Sequence, residues 1–312
     1  MVDDKDIKTK ESPFSMRSNE IKVFDGKDGY VSMSQIVFKV NMGHISETHF
    51  SILEIINDFE FATSRQIYQM LLYKEIDVKS QDKLNYKLEQ LIKSKIITRY
   101  YFESTEGSGI YRTYCLDKAG KYLLNSRGIT CNWQPTDNTK PVYMIKKRLA
   151  GNQILLAYLT KVSATFSYET KPSLSAKVRN TKFKPSGGRI TLEKGGKKVD
   201  FLFEVVRRNE DWEKKLIDKM KLYKDFYETF NPKDYDFERL PQLIIVGEDD
   251  PHTGEIFKAI KIDDIELKGI NIYYTADLKQ LEDSLDKSLS EFYLDEESKK
   301  YKNRSLEIKL LA

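Results

Sequence analysis

Residues 200–223, DFLFEVVRRNEDWEKKLIDKMKLY, leave a chain few ways to fold. Phe201, Phe203 and Val205 fall on one face of an extended run and Leu202 and Val206 on the other, so the run reads as a buried strand. Trp212, Leu216, Met220, Tyr223 and Tyr227 then recur at helical spacing, a stripe that packs back onto a sheet. An acid on a buried strand followed by a basic helix can frame a charged site inside a sheet. The same letters also describe a strand and a helix that merely pack.

The surrounding pattern places a helix over about 142–160, strands at ATFSYET, GRITLE and VDFLFEVV, a helix over 211–230, strand QLIIV, a helix over 252–260, strand NIYYT and a helix over 277–293. That order is α-β-β-β-α-β followed by more α/β. Upstream, Ser46 with His49 resembles a capping box, and Phe50, Leu53, Ile55 and Ile56 repeat at helical spacing. A second helix carries Ile67, Met70 and Leu71, and a third, capped by Ser80, carries Leu84, Leu88, Leu91 and Ile92. The runs ITRYYFE and IYRTYCL, joined by STEGSG, predict a hairpin. Three helices and a hairpin predict a winged helix. A further helix, DKAGKYLLNSRG, ends at Gly128.

The fold class expected is therefore α+β, with an N-terminal winged helix-turn-helix domain followed by an α/β domain. The expected boundaries are a flexible arm over 1–40, with VSMSQIVFKV a strand or part of that arm, and a winged helix over 41–128. A proline-bearing linker over 129–141, the α/β domain over 142–294 and a solvated tail over 295–312 complete the chain. Two domains also suit a length of 312 residues.

Charge is unevenly spread. Residues 141–235 hold 21 Lys+Arg against 11 Asp+Glu, whereas 236–312 hold 11 against 18. A basic middle favours a polyanionic partner, and double-stranded DNA is the partner expected; solvated lysines are the plainer account of the same bias. On the third helix, Lys83, Tyr86, Lys87 and Gln90 present charge and hydrogen-bonding tips for a DNA groove, while Arg99, Arg112 and the GSG tip are placed to hold phosphates. Lys177, Arg179, Lys182, Lys184, Arg207 and Arg208 extend the basic surface into the second domain. The stretch LSAKVRNTKFKPSGGR contains five Lys or Arg and no acid, a composition that tracks a phosphate backbone without reading sequence.

Other chemistries lack their residues. Cys115 and Cys131 form neither a metal spacing nor a disulfide framework, the three histidines are scattered, and GGKK at 195–198 reads as a hairpin turn rather than a phosphate loop. His252, beside Asp249 and Asp250, reads as part of a helix cap. No apolar run approaches the length of a membrane span, so the expectation is a soluble, cytoplasmic protein with no metal site and no cofactor.

The α-β-β-β-α-β order with an acid on its third strand resembles the PD-(D/E)XK nuclease fold. A winged helix followed by FLFEVVRR, a charged loop and KLIDKMKLYKDFY resembles, more narrowly, the plasmid replication-relaxation family over roughly residues 46–275. The resemblance implies a DNA-binding accessory role in replication, mobilisation, conjugation or DNA relaxation, with replication or conjugation proteins as partners; a homodimer is a separate expectation. It also assigns the strand acid to Glu204 and the following helix positions to Lys219 and Tyr223, similar to a Q-x-x-x-Y segment with lysine replacing glutamine.

Two parts of the family pattern are missing. The proline-aspartate falls on Pro185 and Ser186, and the lysine of the strand motif falls on Val206. Asp200 lies four residues from Glu204, about 13 Å along a strand, too far to share an ion. Glu193 and Glu169 remain as second-ligand candidates. The resemblance thus implies a nuclease-like domain without nuclease activity. An active endonuclease using Mg²⁺ at Glu204 and a winged-helix transcriptional regulator are the competing readings.

Overall fold

The computed structural model describes residues 11–105, 107–281 and 284–311, and it is a mixed α+β structure. Among these residues no helix is long and apolar enough to cross a membrane. The chain divides into two compact units, Met16–Thr160 and a second made of the N-terminal segment to Ser15 with Lys161–Ala312.

The first unit begins with β1 (Ile21–Phe24) and α1 (Met33–Asn41), where the sequence predicts a loose arm. Helix α1 forms because Ser32 and Gln35 make a reciprocal cap, each side chain bonded to the other's backbone N–H. That Ser-x-x-Gln signal outweighs the short apolar alternation of VSMSQIVFKV. Residues 1–10 of the expected arm lie outside the described residues. Then follow α2 (Glu47–Phe59), β2 (Ala62–Thr63), α3 (Ser64–Tyr73), α4 (Gln81–Lys93), β3 (Ile97–Ser104), β4 (Gly107–Leu116), α5 (Lys118–Ser126) and α6 (Val142–Lys161).

The sheet order is β1-β3-β4-β2, so the β3–β4 hairpin is flanked on both sides. Leu53, Ile56, Ile67, Leu71, Leu84, Leu88 and Leu91, all buried, form the core beneath it. At the start of α2, the His49 ring accepts the Ser46 N–H at 3.0 Å, the part a glutamate plays in a usual capping box.

The sequence assigns α6 to the second domain. The structure keeps it with the first: Asn152 donates to the carbonyls of Phe59 and Phe61 at 3.1 and 2.7 Å, and Gln66 donates to that of Leu149 at 2.7 Å. Lys146 and Glu20 also form an ion pair at 2.6 Å with both side chains 2% exposed. Burial of these polar groups demands those partners, and the division therefore falls after the helix instead of at the proline segment.

The second unit contains β5 (Thr165–Glu169), β6 (Leu174–Ala176), β7 (Thr181–Phe183), β8 (Gly188–Lys194), β9 (Lys197–Val205), α7 (Trp212–Glu228), β10 (Gln242–Gly247), α8 (Asp250–Ile262), β11 (Ile272–Ala276), β12 (Ser290–Asp295) and β13 (Lys300–Ser305). Its sheet runs β13-β12-β11-β10-β9-β8-β5. Strands β5, β8 and β9 form an antiparallel meander, and β9, β10 and β11 are parallel, the first two linked through α7. Leu216, Met220, Tyr223 and Tyr227 of α7 join Leu202, Leu243 and Ile245 in one core.

The helix predicted over 277–293 is not found among the described residues of that span. Asp277–Leu281 is a short 3₁₀ turn and β12 pairs with β13, while Phe292 stacks on Phe257 at 4.4 Å. Beginning at Ser290 opposite Tyr274, β12 covers the otherwise open edge of β11. Edge pairing of backbone groups outweighs the helical spacing of Leu281, Leu285 and Leu289. The expected tail is therefore a hairpin as far as Ser305.

Candidate functional site

Glu204 sits near the end of β9, in the middle of the seven-stranded sheet, and is 1% exposed. The chain enters β8 through Pro185-Ser186-Gly187. A Cβ on Gly187 would lie 2.7 Å from the Phe203 Cβ, so only glycine lets this turn pass against β9 and lay Ser186 beside Glu204. The Ser186 hydroxyl lies 2.8 Å from Glu204 Oε1 and its N–H donates to Oε2 at 3.3 Å. The Tyr223 hydroxyl donates to Oε2 at 3.0 Å. Burial, reinforced by the Glu204 charge, holds the Tyr223 phenol well above its ordinary pKa, so it stays a proton donor.

One turn earlier on α7, Lys219 places Nζ 4.0 Å from Glu204 Oε2 and donates to the Lys184 carbonyl at 2.7 Å. Glu204, Lys219 and Tyr223 are thus brought together, and Ser186 occupies the position where the nuclease resemblance requires an acid.

These residues do not fit a Mg²⁺ site, which calls for two or more carboxylate oxygens at about 2.1 Å. Both Glu204 oxygens accept hydrogen bonds, and among the described residues no group of three or more His, Cys, Asp or Glu is placed to hold a metal ion. Asp200 is buried but engaged by Arg189 at 2.7 Å and by the Thr191 hydroxyl at 2.7 Å. Glu193 pairs with Lys198 at the far end of the β8–β9 ladder, and Glu169 stands opposite Arg189 on β5, two strands away from β9. Neither is a neighbour of Glu204.

The basic stretch that leads into this site is a hairpin, β6–β7. Asp225 of α7 secures its turn by accepting the N–H groups of Val178 and Arg179 at 3.1 and 2.9 Å. Arg179, Lys182 and Lys184 are exposed and have no ion-pair partner among the described residues. Lys177 is different: Asp234 lies 2.5 Å from its ammonium, and that hydrogen bond raises its pKa.

Arg207 and Arg208, expected on the basic surface, are committed inside the unit. Arg207 is 2% exposed and makes a two-pronged pair with Asp277 at 2.8 and 2.9 Å. Arg208 grips Asp249 at 2.8 and 3.0 Å and Glu255 at 3.2 and 3.3 Å. These acids follow β10 and β11 or lie on α8, so the parallel strands deliver them to the ends where the two arginines emerge. Asp249 caps α8 by accepting the His252 N–H at 2.7 Å, and burial lowers the His252 pKa to about 3.

In the first unit, Lys83 and Tyr86 are exposed on α4 and Lys87 is half-buried. Gln90 is not offered outward, because its Oε1 meets His49 Nε2 at 2.9 Å. The ring nitrogen that accepts from Ser46 leaves Nε2 to carry the proton, and burial lowers the His49 pKa, keeping the ring neutral. Arg99 is 16% exposed and bound to Asp25 and Glu89, and Arg112 meets Asp25 at 2.6 Å. They are not bare phosphate clamps. The GSG tip lies in β4, and its side chains fall outside the described residues. Sequence reading missed Asp25 and Asp225, whose partners lie 46–87 residues away along the chain and leave no local signal.

No family model matches this chain, and no curated protein matches it. Among solved structures, a chain titled restriction endonuclease FokI is similar over 74% of this chain and 42% of its own, with 11% identity and a TM-score of 0.27. The chain thus spans less than half of that enzyme, and an overlap at this score specifies no common fold.

Proposed function

We propose that this chain is a DNA-binding accessory protein of a plasmid or similar mobile element, with a winged helix in its first unit and a nuclease-like domain, inactive at Glu204, in its second. The β6–β7 hairpin carries this reading. Its three uncompensated cations run directly into Pro185-Ser186, and Lys184 also supplies the carbonyl that holds Lys219 beside Glu204. Cations so placed neutralise phosphates and bind duplex DNA largely without regard to sequence. Sequence preference falls to the exposed α4 face, with Lys83 and Tyr86 at its centre.

Several features support the remainder. The meander β5-β8-β9 followed by α7 and parallel β10 has the strand order that the nuclease resemblance implies. Helices α2–α4 with the β3–β4 hairpin have the element order of a winged helix. Ser186 in the acid position explains why the carboxylate there is a hydrogen-bonded node. The mobile-element setting, with replication or conjugation proteins as partners, rests on the family resemblance of the sequence alone.

Duplex binding measured by fluorescence anisotropy between 50 and 200 mM salt tests the reading. Replacing Arg179, Lys182 and Lys184 together by alanine is expected to reduce the slope of log K against log salt by up to about 2.7, about 0.9 for each lost phosphate contact. An unchanged slope and affinity would remove the hairpin from the interface.

A second reading, a Mg²⁺-dependent endonuclease, is favoured by one observation: Lys219 and Glu204 form an acid–lysine couple on the sheet. Supercoiled DNA incubated with Mg²⁺ or Mn²⁺ separates the two. The proposed function predicts equal, background nicking by wild type and Glu204→Ala; cleavage lost in the variant establishes the enzyme.

A further inference from the structure

An open cavity of about 560 Å³ lies within the first unit, lined by Asn85, Tyr86 and Glu89 of α4 and by Arg99 and Arg112 of the β3–β4 hairpin. Asp25 bridges its two guanidinium groups, with Oδ2 2.9 Å from Arg99 Nε and 2.6 Å from Arg112 Nε. We propose that this cavity is a phosphate seat for nucleic acid, and that the Asp25 carboxylate is its resident stand-in, displaced when a DNA phosphate docks on Arg112 and Arg99. The proposal rests on the DNA-binding reading and adds the site and its gate.

Three observations carry it. First, a guanidinium presents the same forked donors to a carboxylate and to a phosphate, so one anion can replace the other without rearranging the arginines. Second, the carboxylate can swing while its backbone stays. The Asp25 N–H donates to the Arg99 carbonyl at 2.9 Å, continuing the β1–β3 ladder past Phe24–Tyr100, and the Arg99 side chain donates from Nε to the Asp25 carbonyl at 2.9 Å. Gly26 then turns the chain against Phe24 and Thr98, where a Cβ would lie within 2.6 and 2.9 Å of them. Third, the resting cavity is balanced, Arg99 and Arg112 against Asp25 and Glu89.

Departure of the Asp25 carboxylate uncovers one positive charge. Arg112 is 58% exposed, so its pair with Asp25 is solvent-screened and open to competition, whereas Arg99 keeps Glu89. Tyr86 at the rim offers a ring face and Asn85 a hydrogen-bonding amide to the adjoining sugar or base.

The test compares the full chain with Asp25→Asn, Arg112→Ala, the double variant and Asp28→Asn, an exposed acid on the same turn that serves as the charge-matched control. Binding of a short labelled duplex is read by anisotropy across salt. Asp25→Asn is expected to tighten binding roughly threefold or more at 50 mM salt and to steepen the salt slope by about 0.9, one added phosphate contact. Arg112→Ala should cancel that gain, and Asp28→Asn should leave binding as in wild type.

A gain that survives Arg112→Ala, or is matched by Asp28→Asn, reflects net charge alone and overturns the proposal. So does Asp25→Asn binding no tighter than wild type while the duplex is still retained; that result leaves the DNA-binding reading standing. If no variant retains duplex at low salt, both fall together. A melting temperature measured on each variant guards against misfolding, and Arg112→Ala, altering an exposed side chain, keeps the test open if Asp25→Asn unfolds.

Discussion

Replacing Arg207 with alanine is expected to destabilise the second unit by about 3–5 kcal/mol, the usual cost of removing one member of a buried ion pair. Among the described residues, Asp277 would keep only the Ser12 hydroxyl, 2.5 Å away, as a hydrogen-bond partner. A loss of that size lowers Tm by roughly 6–20 °C for a domain of this size. The double variant Arg207→Met, Asp277→Leu should recover most of it, because the desolvated charges leave together. A loss below about 1 kcal/mol for Arg207→Ala would show that the pair is not carrying buried charge.

The pH dependence has a definite sign. Burial raises the Asp277 pKa above the ordinary carboxylate value even though Arg207 opposes the shift. A carboxyl with a raised folded pKa binds its proton more tightly in the folded chain, so its charging penalty is full above that pKa and relieved as pH falls through it. Without Arg207 the shift grows. The deficit of Arg207→Ala relative to wild type should therefore be largest at neutral pH and shrink on acidification, as followed by urea unfolding across pH. A deficit that grows with acid contradicts this account.

Ser186→Asp is expected to have the second large effect. It sets a carboxylate against Glu204 and removes both the hydroxyl near Oε1 and the oxygen that accepts the Val205 N–H at 2.8 Å. A half-buried carboxylate set against the buried Glu204 resists joint ionisation with it, so the metal-free variant should lose about 1–3 kcal/mol at neutral pH. Mn²⁺ at a hundred times its Kd should return about 2.7 kcal/mol, while wild type gains little. Thermal unfolding with Mn²⁺ and with chelator reads this out. An equal Mn²⁺ shift in wild type would mean that the native site already binds metal; no shift in Ser186→Asp would mean that the turn does not aim this side chain at a shared ion.

Much of this protein was legible along the chain. The apolar faces of 201–206 and the α7 stripe specify a buried strand and its covering helix because period and burial are local properties of side-chain direction. The helices bearing Leu53, Ile67 and Leu84, and the hairpin after them, were readable for the same reason. The spacing of Lys219 and Tyr223 put both on one α7 face, and only their shared approach to Glu204 required the fold.

What the tertiary structure alone decided was partnership. Arg207 and Arg208 look like surface cations in sequence, yet parallel strands carry Asp249 and Asp277 to the place where they emerge. Gln90 looks like a DNA-reading side chain until His49 is brought against it. The segment 277–305 has helical spacing at its start, but an open strand edge converts its later part into a hairpin. Sequence determines which groups are apolar and which are charged; which charge meets which depends on chain closures tens to hundreds of residues long, and those closures determine whether an arginine is spent on an internal acid or left exposed.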